Sequence, residues 1–217
     1  MTITKYPQSC LLVESGTTRL LFDPGILKYE ERFFDEWSSC DAVFITHKHT
    51  DHCNAEILSK LDPSIPLYTT AEVTAAHASL ARANLIKEGD AVSVGCFSVT
   101  AVKAVHGYHP RMRGNEVYEN IGFLVCDGKD TLYITSDTVC FPTQIKADAI
   151  AIPVTGHGVT MTAFEASLFA AETGAKKILL THMDNEVFEV DWQYIDKHFK
   201  AASLEYTILA IGEKMYI

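Results

Sequence analysis

A dense run of histidine and aspartate directly behind an apolar segment constrains this chain more than any other feature. Residues 46–52 read THKHTDH and follow the apolar run AVFI, which predicts a buried strand ending at His47. Imidazole and carboxylate groups are usual ligands of zinc, manganese and iron. On an extended backbone His47 and His49 point to the same side, whereas Asp51 and His52 diverge in a turn. The segment therefore predicts two pairs of ligands, one for each of two metal ions.

The alternative to a metal site is a solvated polar loop in which histidines occur by chance. The chain has nine histidines in 217 residues, and three of them fall within this one short segment. Such a local density disfavours chance and favours metal binding.

Three further candidate ligands follow predicted strands elsewhere in the chain. His106 follows SVTAVKAV, Asp137 follows TLYITS and His182 follows KKILLT. Taken singly, each residue would more often be structural. Because α/β folds place their chemistry at strand ends, the three together are the expected completing ligands at the mouth of one sandwich.

Short apolar segments alternate with helical ones along the whole chain, and no repeat or linker divides it. This pattern predicts an α/β fold with sheets packed inside helical layers, as a single domain over residues 1–217. A helix over AFEASLFAAETG has Thr162 as N-cap, Glu165 as capping-box partner and Gly174 beyond its end. The Ala-rich segment AEVTAAHASLARA is a second predicted helix, and YTILA and EKMYI are predicted to close the chain as strands.

Charge and cysteine content bear on partners and location. The net charge of −10 repels phosphate backbones and anionic lipid, so we expect a small-molecule substrate and neither nucleic acid nor membrane as partner. The six cysteines form no CxxC pair, and no secretory leader or apolar run of about 18 residues is visible. These features predict a cytoplasmic protein. They leave the oligomeric state open, a homo-oligomer included.

The segment HKHTDH matches the HxHxDH signature of the metallo-β-lactamase superfamily. The later order also matches: a histidine after a strand, an aspartate in a Ser-Asp-Thr turn, and a histidine after a late strand. The stretch IPVTGHGVTMTAFEA followed by KKILLTHMDNEVF resembles the branch of ascorbate-6-phosphate lactonase-like proteins and small metal-dependent hydrolases. Thr160 and Met161 fit that branch, whereas its pattern has Met-His or similar at the end of the late strand and here Thr181 precedes His182.

The resemblance implies a four-layer αβ/βα sandwich, and it implies two divalent cations, zinc first and manganese or iron as alternatives. Asp137 would bridge the two cations, and Asp23 would lie behind the site and orient a ligand histidine. The other implied ligands are His47, His49 and His106 for the first cation, and Asp51, His52 and His182 for the second.

Two metal ions that share one water lower its pKa toward neutrality. The sequence therefore predicts a hydrolase in which a metal-bridging hydroxide cleaves a small-molecule ester, lactone, amide or phosphodiester bond, with Asp51 as proton acceptor. No GxSxG motif offers a serine nucleophile. The alternative is a metal-binding sensor or structural module of the same fold without turnover.

Four more side chains are candidates for contact with the substrate, each with a simpler structural reading beside it. His109 either donates to the oxyanion or lies exposed in a polar loop. His157, in TGHG, either contacts the substrate or its leaving group or has only a structural role in the turn. Arg111 and Arg113 either bind a carboxylate or phosphate of the substrate or are solvated loop charges.

Overall fold

The computed structural model describes residues 1–110 and 113–217. Within these residues two β-sheets carry the strands β1 Thr2–Lys5, β2 Leu11–Ser15, β3 Thr18–Phe22, β4 Ala42–Phe44, β5 Leu67–Thr69, β6 Asn84–Leu85, β7 Ala91–Val94, β8 Phe97–Lys103, β9 Ile121–Cys126, β10 Thr131–Ile134, β11 Ala149–Pro153, β12 Lys177–Thr181 and β13 Lys214–Tyr216. The helices are α1 Arg32–Trp37, α2 Ala55–Lys60, α3 Ala71–Ala76, α4 Ala163–Thr173 and α5 Trp192–Ala201, with a 3₁₀ turn at Ala78–Leu80.

Each sheet joins an antiparallel part to a parallel part. The first sheet has the order β13-β1-β2-β3-β4-β5-β6 and is parallel from β3 to β6. The second has the order β12-β11-β10-β9-β8-β7 and is parallel from β10 to β12. Parallel neighbours end at the same edge of a sheet, so residues that follow such strands lie near one another.

Side chains alternate between the two faces of each sheet. On β10, Leu132 and Ile134 join the core between the sheets, whereas Tyr133 packs in the cluster beneath α4 and α5. On β2, Leu11 likewise faces the second sheet and Leu12 faces the layer of α1 and α2. Strands buried on both faces explain the continuous apolar runs in the sequence. The predicted four-layer αβ/βα sandwich is confirmed.

The termini of α4 follow the predicted signals. Thr162 accepts a hydrogen bond from the Glu165 backbone, and the Glu165 side chain accepts one in return from the Thr162 backbone, which forms the capping box. Gly174 then ends the helix with a left-handed backbone, φ 71°. The capping residues of this helix are confirmed.

Two local predictions are wrong. The Ala-rich helix stops at Ala76, because His77 leaves the helical conformation and its ring bonds to the Lys48 carbonyl, with a 3₁₀ turn beyond. The segment YTILA is not a strand: Thr207 meets Leu179 of β12 in an isolated bridge, and the chain turns away before β13.

In the described part of the chain, no helix combines the length and apolarity that crossing a membrane requires.

Candidate metal centre

The structure brings all seven predicted ligand residues together at one edge of the sandwich. They come from the segment after β4 and from the ends of β8, β10 and β12. Within each of three groups, one ligand atom per residue lies within 4.8 Å of the others. The groups are His47 with His49 and His106, His47 with His52 and Asp137, and Asp51 with His52 and His182.

The first group is a triangle of imidazole rings. His47 Nε2 lies 3.2 Å from His49 Nδ1. The His106 ring centroid is 5.0 Å from that of His47 and 4.8 Å from that of His49. Three ring nitrogens thus face a common point, as tetrahedral or octahedral cation sites require.

In two of these rings, the outer nitrogen, which points away from the triangle, contacts a backbone carbonyl oxygen. His49 Nε2 contacts the Asn115 carbonyl oxygen at 2.9 Å, and His106 Nδ1 contacts the Gly107 carbonyl oxygen at 2.7 Å. Because a carbonyl only accepts, each outer nitrogen carries the proton and the inner nitrogen presents its lone pair.

Asp51, His52 and His182, together with Asp137, form a second ligand group that combines imidazole with carboxylate. His182 Nε2 lies 2.9 Å from Asp137 Oδ2 and 3.4 Å from Asp51 Oδ2, and His52 Nε2 lies 3.2 Å from Asp137 Oδ1. Nevertheless, three of these buried atoms have no hydrogen-bond partner in the described structure: His52 Nε2, His182 Nε2 and Asp137 Oδ1. The imidazole nitrogens and carboxylate oxygens lie close together, but their directions do not meet hydrogen-bond geometry. This is the geometry that a cation between them would satisfy.

Asp23 lies behind the site, as the resemblance implies, and it is fully buried. Its Oδ2 atom accepts from His52 Nδ1 and from Thr46 Oγ1, each at 2.8 Å. Since Thr46 donates its only hydroxyl proton to Asp23, its oxygen accepts from His47 Nδ1, 3.0 Å away. One carboxylate therefore sets the orientation of His52 directly and of His47 through Thr46.

The two carboxylates of the site are ionised. Burial alone would raise the pKa of Asp137, but His182 and His52 hold it well below its usual value. For Asp51, burial again opposes ionisation, and His52 and His182 again lower the pKa. Both side chains are therefore competent as anionic ligands at neutral pH.

The histidines divide into two electrostatic classes. Burial lowers the pKa of His47, with further lowering by His52, and burial lowers the pKa of His106. For His182, burial acts in the same direction, but Asp137 and Asp51 prevail and raise the pKa to about 9. His52 likewise has a pKa well above its usual value, because three carboxylates outweigh its burial. Without a cation, His47 and His106 are neutral, whereas His52 and His182 hold protons.

Cys53 directly follows the histidine cluster yet plays no part in it. It is buried among apolar side chains of the first sheet and its helices. Burial raises the pKa of its thiol to about 12, with a further contribution from Asp23. The donor set in the described residues is therefore nitrogen and oxygen only.

Comparison with known proteins agrees with this arrangement. A family model described as Beta-lactamase superfamily domain matches residues 18–183, from the start of β3 to the residue after His182. The chain belongs to the metallo-β-lactamase superfamily.

Relatives of this superfamily member include the protein Rv0786c of Mycobacterium tuberculosis, which is 34% identical over 159 residues, 70% of this chain and 71% of that protein. A UPF0173 metal-dependent hydrolase of Opitutus terrae is 29% identical over 148 residues, 65% of this chain and 64% of that protein. The metallo-β-lactamase fold protein YhfI of Bacillus subtilis superposes with a TM-score of 0.78 at 22% identity, covering 99% of this chain and 98% of that one. The similarity to YhfI shows a shared fold alone.

Backbone strain is concentrated around the centre of this superfamily member. Of seven non-glycine residues with positive φ in the described chain, five surround the site, with φ between 46° and 63°. They are Gln8, Asp23, Ser136, His157 and His182. Such conformations persist only where surrounding contacts enforce them, and they are typical of functional sites.

Three of the four predicted substrate contacts, His157, His109 and Arg113, lie among the described residues, in different settings. The His157 ring stacks on Phe188, with centroids 3.9 Å apart, and its buried Nε2 has no hydrogen-bond partner in the described structure. Burial lowers the pKa of His157, with smaller contributions from His182 and His109. His109 is half-buried and Arg113 is exposed. Arg111 lies outside the described residues.

Sequence reasoning missed a set of polar residues that contact the ligands. Gln8 donates to Asp51 Oδ2 at 3.0 Å, and Asn120 donates to the Asp137 carbonyl at 2.7 Å. Thr155 Oγ1 lies 3.0 Å from His182 Nδ1. None of these residues belongs to a ligand motif, so their roles become visible only in the folded chain.

A cavity of about 700 Å³ opens beside the centre. His106 forms part of its wall, next to Val105, and the exposed side chains of Leu85 and Tyr118 lie at its lining. Its volume is that of a small-molecule site, and large apolar side chains exposed at a cavity are typical of ligand contact.

Proposed function

We propose that this protein is a dinuclear metal-dependent hydrolase of small molecules, acting on an ester, lactone, amide or phosphodiester bond. The observation that carries the proposal is the set of buried ligand atoms that face one another without hydrogen bonds: the Nε2 atoms of His52, His106 and His182, and Asp137 Oδ1. Buried polar atoms rarely lack partners, and here divalent cations would supply them.

The proposed ligand assignment follows the spatial groups. His47, His49 and His106 would hold the first cation, and Asp51, His52 and His182 the second. Asp137 would bridge, because its two oxygens face different neighbours: Oδ1 faces His52 and Oδ2 faces His182. Five imidazoles and two carboxylates without thiolate suit zinc, our first proposal, and also manganese or iron.

Bound cations of this kind supply Lewis acidity, which activates water as a nucleophile near neutral pH. The chain's own residues then supply positioning and proton transfer. Asp51 is ionised and its side chain is 27% exposed, against 3% for Asp137. Asp51 therefore can accept the proton of the attacking water while the buried Asp137 cannot reach solvent.

His157 and His109 are the proposed contacts to substrate. The unpartnered Nε2 of His157 can donate to the leaving group, since stacking on Phe188 fixes its ring. The cavity beside His106 would receive the non-reacting part of the substrate. We also propose a cytoplasmic location, because all six cysteines are free thiols.

A more specific proposal is that this protein belongs to the ascorbate-6-phosphate lactonase-like branch of the superfamily. Its support is the segment TGHGVTM, in which Gly156 donates to the Thr160 hydroxyl and to the Met161 carbonyl. That branch predicts a phosphorylated lactone as substrate, so the exposed Arg113, on the loop after His106, is a candidate partner for its phosphate.

The test is metal analysis combined with a hydrolysis panel. The protein, stripped with a chelator and reloaded with zinc, manganese or iron, is assayed on a p-nitrophenyl ester, a lactone, L-ascorbate 6-phosphate and bis-p-nitrophenyl phosphate. Two equivalents of metal and metal-dependent turnover of one bond class support the proposal. Two equivalents without turnover of any class favour a non-catalytic module. If the protein binds none of these metals, the proposal that these residues form a metal site is overturned.

A further inference from the structure

Gln8 lies in the short loop between β1 and β2 and contacts the second ligand group. It is fully buried and has a left-handed backbone, φ 62°. Its amide nitrogen donates to Asp51 Oδ2 at 3.0 Å, and its amide oxygen accepts from the Asp184 backbone at 3.2 Å. Both ends of the side-chain amide are therefore engaged, which fixes which end faces Asp51.

The backbone of Gln8 is held as firmly as its side chain. Its N–H donates to Asp184 Oδ2 at 2.6 Å, and its carbonyl accepts from the His182 backbone at 3.2 Å. The buried Lys5 donates to the same Asp184 oxygen at 2.7 Å and neutralises that carboxylate. The strained conformation of Gln8 is thus enforced by four hydrogen bonds of its own.

This network joins two cation ligands that are distant in sequence. Asp51 follows β4 in the first sheet, and His182 follows β12 in the second. Gln8 touches both, through its amide and through its carbonyl. The side-chain donor is neutral, so it restrains the Asp51 carboxylate without cancelling the negative charge that a cation needs.

We propose that Gln8, held by Asp184 and Lys5, is a positioning residue for the second cation site of Asp51, His52 and His182. The proposal rests on the dinuclear function proposed above. Partners behind metal ligands fix ligand orientation, and their loss typically costs about 10–100-fold in metal affinity. Among the described residues, no hydrogen bond of Gln8 reaches His47, His49 or His106, so we expect the effect at only one of the two sites.

Two substitutions separate the side chain from the backbone. Gln8→Gly keeps both backbone hydrogen bonds, and glycine favours the positive φ at this position. Gln8→Met fills the same volume with neither donor nor acceptor. The matched control is Gln144→Met, at an exposed glutamine outside the ligand set. Circular dichroism and thermal melts of the metal-free proteins show whether each variant folds.

The readout is stepwise cation binding to the metal-free protein, with Co²⁺ followed by visible absorption and Zn²⁺ by calorimetry. We expect two steps in the wild-type protein and in Gln144→Met. In Gln8→Gly and Gln8→Met the first step should keep its affinity within about 3-fold, and the second should weaken about 10–100-fold.

Each other outcome overturns a distinct claim. An unchanged second step in folded Gln8→Gly and Gln8→Met overturns the positioning role alone. Equal weakening of both steps, in parallel with a lower melting temperature, shows that Gln8 only anchors its loop. A wild-type protein that takes up fewer than two equivalents overturns the dinuclear proposal, and the role of Gln8 with it.

Discussion

Asp23 Oδ2 and His52 Nδ1 lie 2.8 Å apart, and neither side chain reaches solvent. The contact leaves His52 Nε2 directed at the centre without a hydrogen-bond partner in the described structure. Because the carboxylate also accepts from the Thr46 hydroxyl, it links His52 to His47 behind the two ligand groups. A second layer of polar residues therefore determines how the ligands present their nitrogens.

Replacement of Asp23 by Asn tests this layer. Asparagine has a similar shape and tolerates the left-handed backbone, φ 46°, but one of its two side-chain termini can only donate. With the amide nitrogen in place of Oδ1, the Thr46 backbone N–H loses its acceptor; with it in place of Oδ2, the Thr46 hydroxyl and His52 Nδ1 both lose theirs. We expect a loss of about 1–3 kcal/mol of folding free energy and about 10–100-fold weaker cation binding, measured by denaturation and by calorimetry. Unchanged cation affinity in a folded Asp23→Asn protein would contradict the role of Asp23.

The protons held by the second ligand group predict how cation binding depends on pH. Burial lowers the pKa of His182, but Asp137 and Asp51 raise it to about 9, so at neutral pH a cation must displace a proton. Affinity for the second cation should rise about tenfold per pH unit for each proton released, and the contribution of the His182 proton should end above about pH 9. His47 and His106 have lowered pKa values, so the first cation should show a shallow dependence.

Calorimetry with Zn²⁺ between pH 6 and 8, in buffers of different ionisation enthalpy, counts the released protons for each step. The expected result is proton release concentrated in the second step. Release concentrated in the first step, or none in either, would show that the two groups are not charged as inferred.

Much of the site could be predicted because its ligands follow buried strands. Strands covered on both faces are continuous apolar runs, so a polar residue directly after one, such as His182 after β12, is conspicuous in sequence. The ends of α4 were equally predictable, since Thr162, Glu165 and Gly174 act within one or two turns of helix. In both cases the signal is local.

The parts that escaped prediction depend on contacts between distant segments. Gln8 and Asp184 are ordinary loop residues 176 positions apart, and only the fold places one against the other. The segment YTILA has the composition of a strand, yet it touches β12 through a single bridge at Thr207. The cavity beside His106 is equally a product of packing, since it draws on residues from 70 to 121.

Asp51 is expected to be indispensable for turnover. Its carboxylate is ionised and accepts the Gln8 amide, and its side chain is the more exposed of the two carboxylates of the centre. Asp51→Ala should lower the rate on any responsive substrate by at least about 10²–10⁴-fold and weaken the second cation step. Asp62→Ala, at an exposed aspartate, is the control for loss of one negative charge. Full turnover by an Asp51→Ala protein that carries two cations would refute both roles.

Gly107 allows the loop of His106 to approach the segment that carries His157. A Cβ atom at Gly107 would lie 2.0 Å from the Gly158 carbonyl oxygen and 2.8 Å from Val139 Cγ1. The backbone of Gly107 also donates to Val159, and its carbonyl accepts from His106 Nδ1. Gly107→Ala should therefore push the two loops apart and rotate the His106 ring away from the first ligand group.

We expect Gly107→Ala to lose about 1–3 kcal/mol of stability through overpacking and to bind the first cation at least about 10-fold more weakly. Gly128→Ala is the control: its Cβ meets nothing within 4 Å, but the positive φ of 87° makes it unfavourable for alanine. It should lose about 1 kcal/mol without any change in cation affinity. If Gly107→Ala bound the first cation as tightly as wild type, the close approach of the loops would be unnecessary for holding His106.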